Sequence, residues 1–438
     1  MVFLVKKNRS VRFWLALVIF SLTGQVAWVV ENMYFNVFIY KMFHASASAI
    51  SVMVAASAVA ATVTTLLIGA LSDKLGKRRL FICGGYLVWG VSIWSFAWIR
   101  TDVIHALFPS VASAATVGVS LTIVMDCVMT FFGSSANDAC FNAWLTDMTD
   151  DSNRGKAEGV NAMMPLLAIL VVFGGFMGFD LGRSDSWVSI FTIIGIAVIV
   201  IGIAGFFLIQ EPEVETRENQ NYFANIFYGF RPSAVRSNAL LYMTLLAVAV
   251  FNIAIQIFMP YLILYYNVTL KMDNYVLVMA PAIILAAVFT FFYGPVYDRF
   301  GFARAIIAPI VLLMAGCAIL CCFRGTPMVF LGSLAMMCGN LGGGAVLGAM
   351  VRSHTPKNKS GMFQGLRIFA QVLVPGVIGP AIGAAILKNA ETIVNDDGTT
   401  SFIPNASIFL GACIAGLAVW LVLIPIFTKM KKEKNHAA

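Results

Sequence analysis

The sequence predicts an all-α membrane protein of twelve transmembrane helices, arranged as two six-helix halves with both termini in the cytoplasm. Three observations predict it. Of 438 residues, 60% are hydrophobic and 11% charged, with a mean hydropathy of +0.87; soluble domains run near roughly 45–50% and 25%. The apolar residues gather in runs long enough to cross a bilayer, which takes about 20 residues. Lysine and arginine divide unevenly between alternate gaps: 22 of 29 lie on the side of the termini, six on the other, and Arg367 inside a run. That bias sets the orientation. It also accounts for the net charge of +8 without a nucleic-acid partner.

The first run, 13–40, follows a basic stretch as a signal peptide does, but no small-residue cleavage site interrupts it. It reads as a retained helix. At roughly 100° per residue, Gln25, Trp28, Asn32, Asn36 and Tyr40 share one face, with Glu31 on its shoulder. Amides suit sugar hydroxyls and an indole suits a sugar ring, so this stripe is a candidate substrate wall. The alternative is hydrogen bonding between helices. The second run, 47–71, contains no acid; the third is 80–99. The fourth, 115–144, carries Asp126 near its middle and Asp138 in its cytoplasmic third. Those two acids lie about 120° apart around a regular helix and about 18 Å apart along it. Runs 160–179 and 187–209 complete the first half, residues 1–209.

Residues 210–238 form a polar cytoplasmic loop, and the second half spans 239–428. Its runs are 239–266, 275–296, 304–323, 328–351, 362–387 and 406–428, before a basic tail at 429–438. In the seventh run, Asn252 and Gln256 stand four apart on one face and offer a second polar wall. The tenth holds Gly339-Asn340-Leu341-Gly342-Gly343-Gly344, which reads as close helix packing because no phosphate-loop Lys follows. The eleventh carries Arg367, Pro375 and Pro380, the marks of a bent helix. Whether Arg367 snorkels to the surface or pairs with Asp138 stays open.

Glu31, Asp126 and Asp138 are the acids inside apolar runs, and Arg367 is the basic residue there. A charge at mid-helix costs about 2.5–3.5 kcal/mol on insertion scales, so it faces a cavity or a partner. Each is therefore a functional candidate: Asp126 for substrate or as a proton stop in series with Asp138, and Glu31, Asp138 and Arg367 for coupling to a cation; the alternative is static pairs that hold the bundle together. The eight cysteines all fall in apolar runs without zinc or redox spacing and read as packing residues. No cofactor, metal cluster, nucleotide motif or nucleophile–base pair is visible, which excludes primary pumps and enzymes from the expectations.

The halves repeat. Gly69, Asp73 and Gly76 after the second run correspond to Gly294, Asp298 and Gly301 after the eighth, at a constant offset of 225. With this loop pattern and the six-plus-six layout, the chain resembles the major facilitator superfamily. Asn137-Asp138-Ala-Cys-Phe141-Asn142-Ala-Trp144-Leu-Thr-Asp147, followed by Arg154, is similar to the fourth helix of glycoside–pentoside–hexuronide:cation symporters. Gln25-Val-Ala-Trp28-Val-Val-Glu31 resembles the first helix of sucrose–proton symporters. The resemblance implies a twelve-helix secondary carrier working by alternating access, with Asp138 in the cation site and Asp73, Arg154 and Asp298 in gating. It implies a multi-pass protein of the plasma membrane, working as a monomer on a small molecule, a sugar or glycoside. Sodium-coupled relatives carry paired aspartates in the second helix; their absence here points to protons as the coupling ion. Efflux of amphipathic compounds through Met- and Phe-rich walls is the alternative transporter reading, and a non-transporting membrane sensor the alternative from another class.

Overall fold

A computed structural model describes residues 11–108, 113–150, 153–211, 230–355, 365–395 and 398–437. Its framework is twelve helices long and apolar enough to cross a membrane. In the first half these are α1 (Val11–Phe43), α2 (Ala47–Ser72), α3 (Arg78–Trp98), α4 (Ala114–Asp147), α5 (Arg154–Phe176) and α6 (Ser184–Leu208). In the second they are α7 (Ala239–Thr269), α8 (Val276–Phe300), α9 (Phe302–Cys322), α10 (Thr326–His354), α11 (Gly365–Leu387) and α12 (Ser407–Lys432). With an even number of crossings, both ends of the bundle emerge on one face, called here the terminal face.

The repeat has a backbone reason. The helix that includes α2 continues to Leu75 and stops at Gly76, whose φ is 64°. The α8 helix stops at Gly301, with φ of 76°. Glycine enters this left-handed region without the steric cost other residues meet, so the same residue ends the matching helix in each half.

Four of the helices carry a widened turn. Backbone hydrogen bonds widen from i→i+4 to i→i+5 at Val30–Tyr34 in α1, Ser134–Phe141 in α4, Tyr265–Thr269 in α7 and Phe369–Leu373 in α11. Such widened turns recur at functional sites because they re-aim the side chains that follow. Side-chain amides reinforce the ladder there: Asn32 donates to the Trp28 carbonyl at 2.8 Å, Asn36 to the Asn32 carbonyl at 3.1 Å and Asn142 to the Asp138 carbonyl at 3.1 Å.

The halves meet along α2 and α11, α5 and α8, and α1 and α7. Gly376 lets α11 approach α2; a Cβ there would come 2.6 Å from that of Ala58. Gly379 does the same against Gln256 of α7. In α10, a Cβ on Gly339 would strike the Leu313 backbone of α9, so the glycine run serves close packing.

On the face opposite the termini the halves are pinned together. Tyr34 and Tyr275 share a hydrogen bond of 3.0 Å, and Tyr261 donates to the Ala47 carbonyl at 3.0 Å. The link between α11 and α12 is more than a linker: β1 (Thr392–Val394) and β2 (Thr400–Phe402) form an antiparallel hairpin with Thr392 opposite Phe402. Tyr40 donates to the Phe402 carbonyl at 2.5 Å, while the His44 ring lies 3.1 Å from both Ser401 and Asn395. The hairpin thus straps the second half onto the end of α1.

On the terminal face, Arg78 is 4% exposed and pairs with Asp147 at 3.0 Å, also reaching Ser72 at 2.6 Å. Glu211 accepts from the Arg78 and Arg79 backbone amides at the start of α3, where the helix dipole favours an anion. One knot therefore ties the ends of α2, α3, α4 and α6. Arg78 is a structural residue, and not simply one of the orientation charges.

Candidate functional site

A cavity of about 390 Å³ opens where the halves meet. From α1 it is lined by Gln25, Trp28, Glu31, Asn32 and Asn36; from α4 by Asp126, Thr130 and Asp138. Ser57, Ala58 and neighbours of α2 form its floor, and Gln256, Gln371, Val372 and Gly376 supply the wall from the second half. No Lys, Arg or His lines it among the described residues. The widened turns of α1, α4 and α11 all contribute: Glu31 lies in the first, Asp138 in the second, and Gln371 and Val372 in the third.

Each carboxyl is held differently. Glu31 is 7% exposed, and its Oε1 accepts from Ser57 at 2.5 Å and from Thr130 at 2.9 Å, leaving Oε2 unpartnered among the described residues. Asp126 is 2% exposed, with Oδ1 likewise unpartnered and near enough to Glu31 for their charges to interact. Asp138 is half-buried; Oδ2 accepts from Ser134 at 3.0 Å and Oδ1 from Asn137 at 3.3 Å. The Trp28 indole adjoins Asp138, its N–H without a hydrogen-bond partner among the described residues. Its ring packs on Trp89 with centroids 5.1 Å apart. Tyr86 supports this group: its hydroxyl lies 2.8 Å from the Phe20 carbonyl and 3.0 Å from Asn137 Oδ1, its one proton shared between the two acceptors.

Several sequence candidates sit together and others do not. Gln25, Trp28, Glu31, Asn32, Asn36, Asp126, Asp138 and Gln256 share the cavity. Tyr40 is corrected: it lies outside the cavity and seals the far face through Phe402. Asn252 is also displaced from the lining, its amide donating to the Gln371 carbonyl at 3.4 Å. Arg367 neither lines the cavity nor pairs with Asp138; its Nε donates to Gln371 Oε1 at 3.0 Å, one turn along α11. Arg154 bonds locally to Thr149, at 3.3 Å to the carbonyl. Asp298 is exposed at the end of α8. The Asp73 side chain lies outside the described residues.

Ser57, Thr130 and Gln371 are the cavity groups that the sequence reading missed. Hydroxyls and amides are common in transmembrane helices, and the one signal for Gln371 is its position four residues after Arg367.

Comparison with known proteins places this geometry. The Major Facilitator Superfamily profile matches residues 13–288 and 276–437. Among solved structures, a D-xylose–proton symporter superposes with a TM-score of 0.72 at 14% identity, covering 94% of this chain and 97% of that one. The nucleoside transporter NupG gives a TM-score of 0.69 at 12% identity, covering 94% and 98%. The inward-open xylose transporter XylE from E. coli gives 0.68 at 15% identity, covering 94% and 95%. No curated protein matches the sequence.

Proposed function

Because the chain belongs to the major facilitator superfamily, and is a multi-pass membrane transporter rather than an enzyme, we propose that it carries out proton-coupled uptake of a sugar or glycoside across the plasma membrane. The observation that carries this reading is the composition of the cavity: amides and an indole beside three carboxyls, at the seam between the halves, with no basic lining residue among those described. A cavity of amides and carboxyls suits a polyhydroxylated solute better than an amphipathic one, which favours the sugar reading over the carriage of amphipathic compounds. The name of the similar D-xylose–proton symporter accords with it.

In this reading Gln25, Trp28, Asn32, Asn36, Asp126 and Gln256 bind the solute, while Glu31 and Asp138 carry the coupling proton. Arg367 acts through Gln371, whose side chain it orients. The positive-inside bias makes the terminal face cytoplasmic. The halves, residues 1–209 and 239–428, then rock about the fixed cavity, closed on the outer face by the hairpin. A proton delivered to Asp138 cancels the charge of a carboxyl held within the membrane span, so the loaded carrier can close around its solute.

The test is a panel of mono- and disaccharides added to a weakly buffered suspension of expressing cells. A substrate is expected to alkalinise the medium. Asp138→Asn is expected to abolish uphill accumulation while leaving equilibrative exchange. An accumulation ratio equal to the parent's in that variant overturns the role of Asp138. Accumulation without proton movement overturns the coupling.

A further inference from the structure

Four polar atoms of the cavity lining are buried without a hydrogen-bond partner among the described residues: Glu31 Oε2, Asp126 Oδ1, Asn36 Oδ1 and Trp28 Nε1. Three of these are acceptors and one a donor. Asn36 is 1% exposed, so three of the four side chains are more than nine-tenths buried. Buried polar atoms are normally satisfied, and buried charges are normally paired. The imbalance describes what is missing: a ligand rich in donors and positive in charge.

A neutral sugar does not match this set. Each hydroxyl donates once and accepts as well, so its ring offers donors and acceptors in comparable number. A protonated amine offers three donors and no acceptor. The carboxyls are also unequal. Asp138 has both oxygens engaged, by Ser134 and Asn137, whereas Glu31 and Asp126 each keep a bare oxygen among the described residues and line the same cavity. We infer that the cavity selects a solute bearing a protonated amine, such as an amino sugar, with its ammonium group between Asp126 Oδ1 and Glu31 Oε2. The Trp28 ring and the amides of Gln25 and Gln256 then face the hydroxylated part. Asp138 remains the coupling carboxyl, while Glu31 is here reassigned from the coupling proton to the solute. This inference rests on the reading of the cavity as the transport site.

The test uses the full-length protein in proteoliposomes and needs no variant at its first step. Uptake is measured for D-glucosamine, D-galactosamine and D-mannosamine, for their N-acetylated forms and for the parent hexoses, with ethanolamine as an amine that is not a sugar. At least one amino sugar is expected to half-saturate transport at a concentration at least tenfold below that of its N-acetylated form and its hexose. Asp126→Asn is expected to erase that ratio while the protein still elutes as a single species. Hexoses or N-acetylated sugars half-saturating at equal or lower concentration overturn the amine inference and leave the saccharide reading intact. Ethanolamine transported in place of every sugar overturns the saccharide reading and upholds the amine. No uptake of any probe overturns both.

Discussion

Trp28 belongs both to the packing and to the cavity wall. Its ring packs at a 45° tilt against Trp89 and also lines the cavity. Gly133 makes room for the pair, since a Cβ there would come 2.6 Å from Trp89 and 2.9 Å from Trp28. Aromatic contacts contribute about 0.5–1.5 kcal/mol beyond area, so Trp28→Ala is expected to raise the half-saturation constant about three- to tenfold, with the amount of folded protein unchanged. A fall in protein level at constant half-saturation would assign the ring to packing alone. Arg78 is the opposite case, far from the cavity and buried against Asp147. Removing one partner of a buried pair costs about 3–5 kcal/mol; Asp147 is 26% exposed, which puts the loss at the lower end. Arg78→Ala is expected to lower the melting temperature of the purified protein and leave the half-saturation constant in place. An unchanged melting temperature would show that the knot holds nothing.

Among the elements, the helices were legible because each needs only a long apolar run. The rarity of charge in those runs also led directly to Glu31, Asp126 and Asp138. Their arrangement was not legible. Regular helical rotation sets Asp138 about a third of a turn from Asp126; the widened turn at Ser134–Phe141 holds more residues per turn and brings both acids to one cavity. No hydropathy pattern announces such turns. Tyr40 continues the α1 stripe but stands one turn beyond Asn36, the last stripe residue in the cavity, and so reaches the far face. The hairpin was hidden for a related reason, as three-residue strands in a polar link carry too little periodicity to read. Its function is open to test. Each hydrogen bond it makes to α1 contributes about 0.5–1.5 kcal/mol, so Tyr40→Phe combined with His44→Ala should shift the carrier toward a conformation open on the far face. In a background without native thiols, Asn32→Cys should then label from that face about tenfold faster. Equal labelling would mean that the tyrosine contacts at Tyr34 and Tyr261 suffice to close it.

At the scale of the whole molecule, the two halves share a fold but not a chemistry. Every carboxyl of the cavity stands on α1 or α4, whereas α7 and α11 present Gln256, Gln371, Val372 and Gly376. The consequence is electrical. In the proposed cycle, once the cavity has released its cations inside, the returning carrier takes bare carboxylates through the membrane field, and only the first half carries them. Each elementary charge moved across the field is worth about 2.3 kcal/mol per 100 mV. An inside-negative potential therefore pushes the empty sites outward, toward fresh substrate, and hyperpolarisation should speed the cycle at its empty step. A voltage jump applied without solute should produce a transient current, reduced by Asp138→Asn and untouched by Gln256→Ala. Equal transients in both variants would mean that the field acts on some other charge. The membrane potential would thus recharge the transporter between turnovers by pulling on one half of a symmetrical machine.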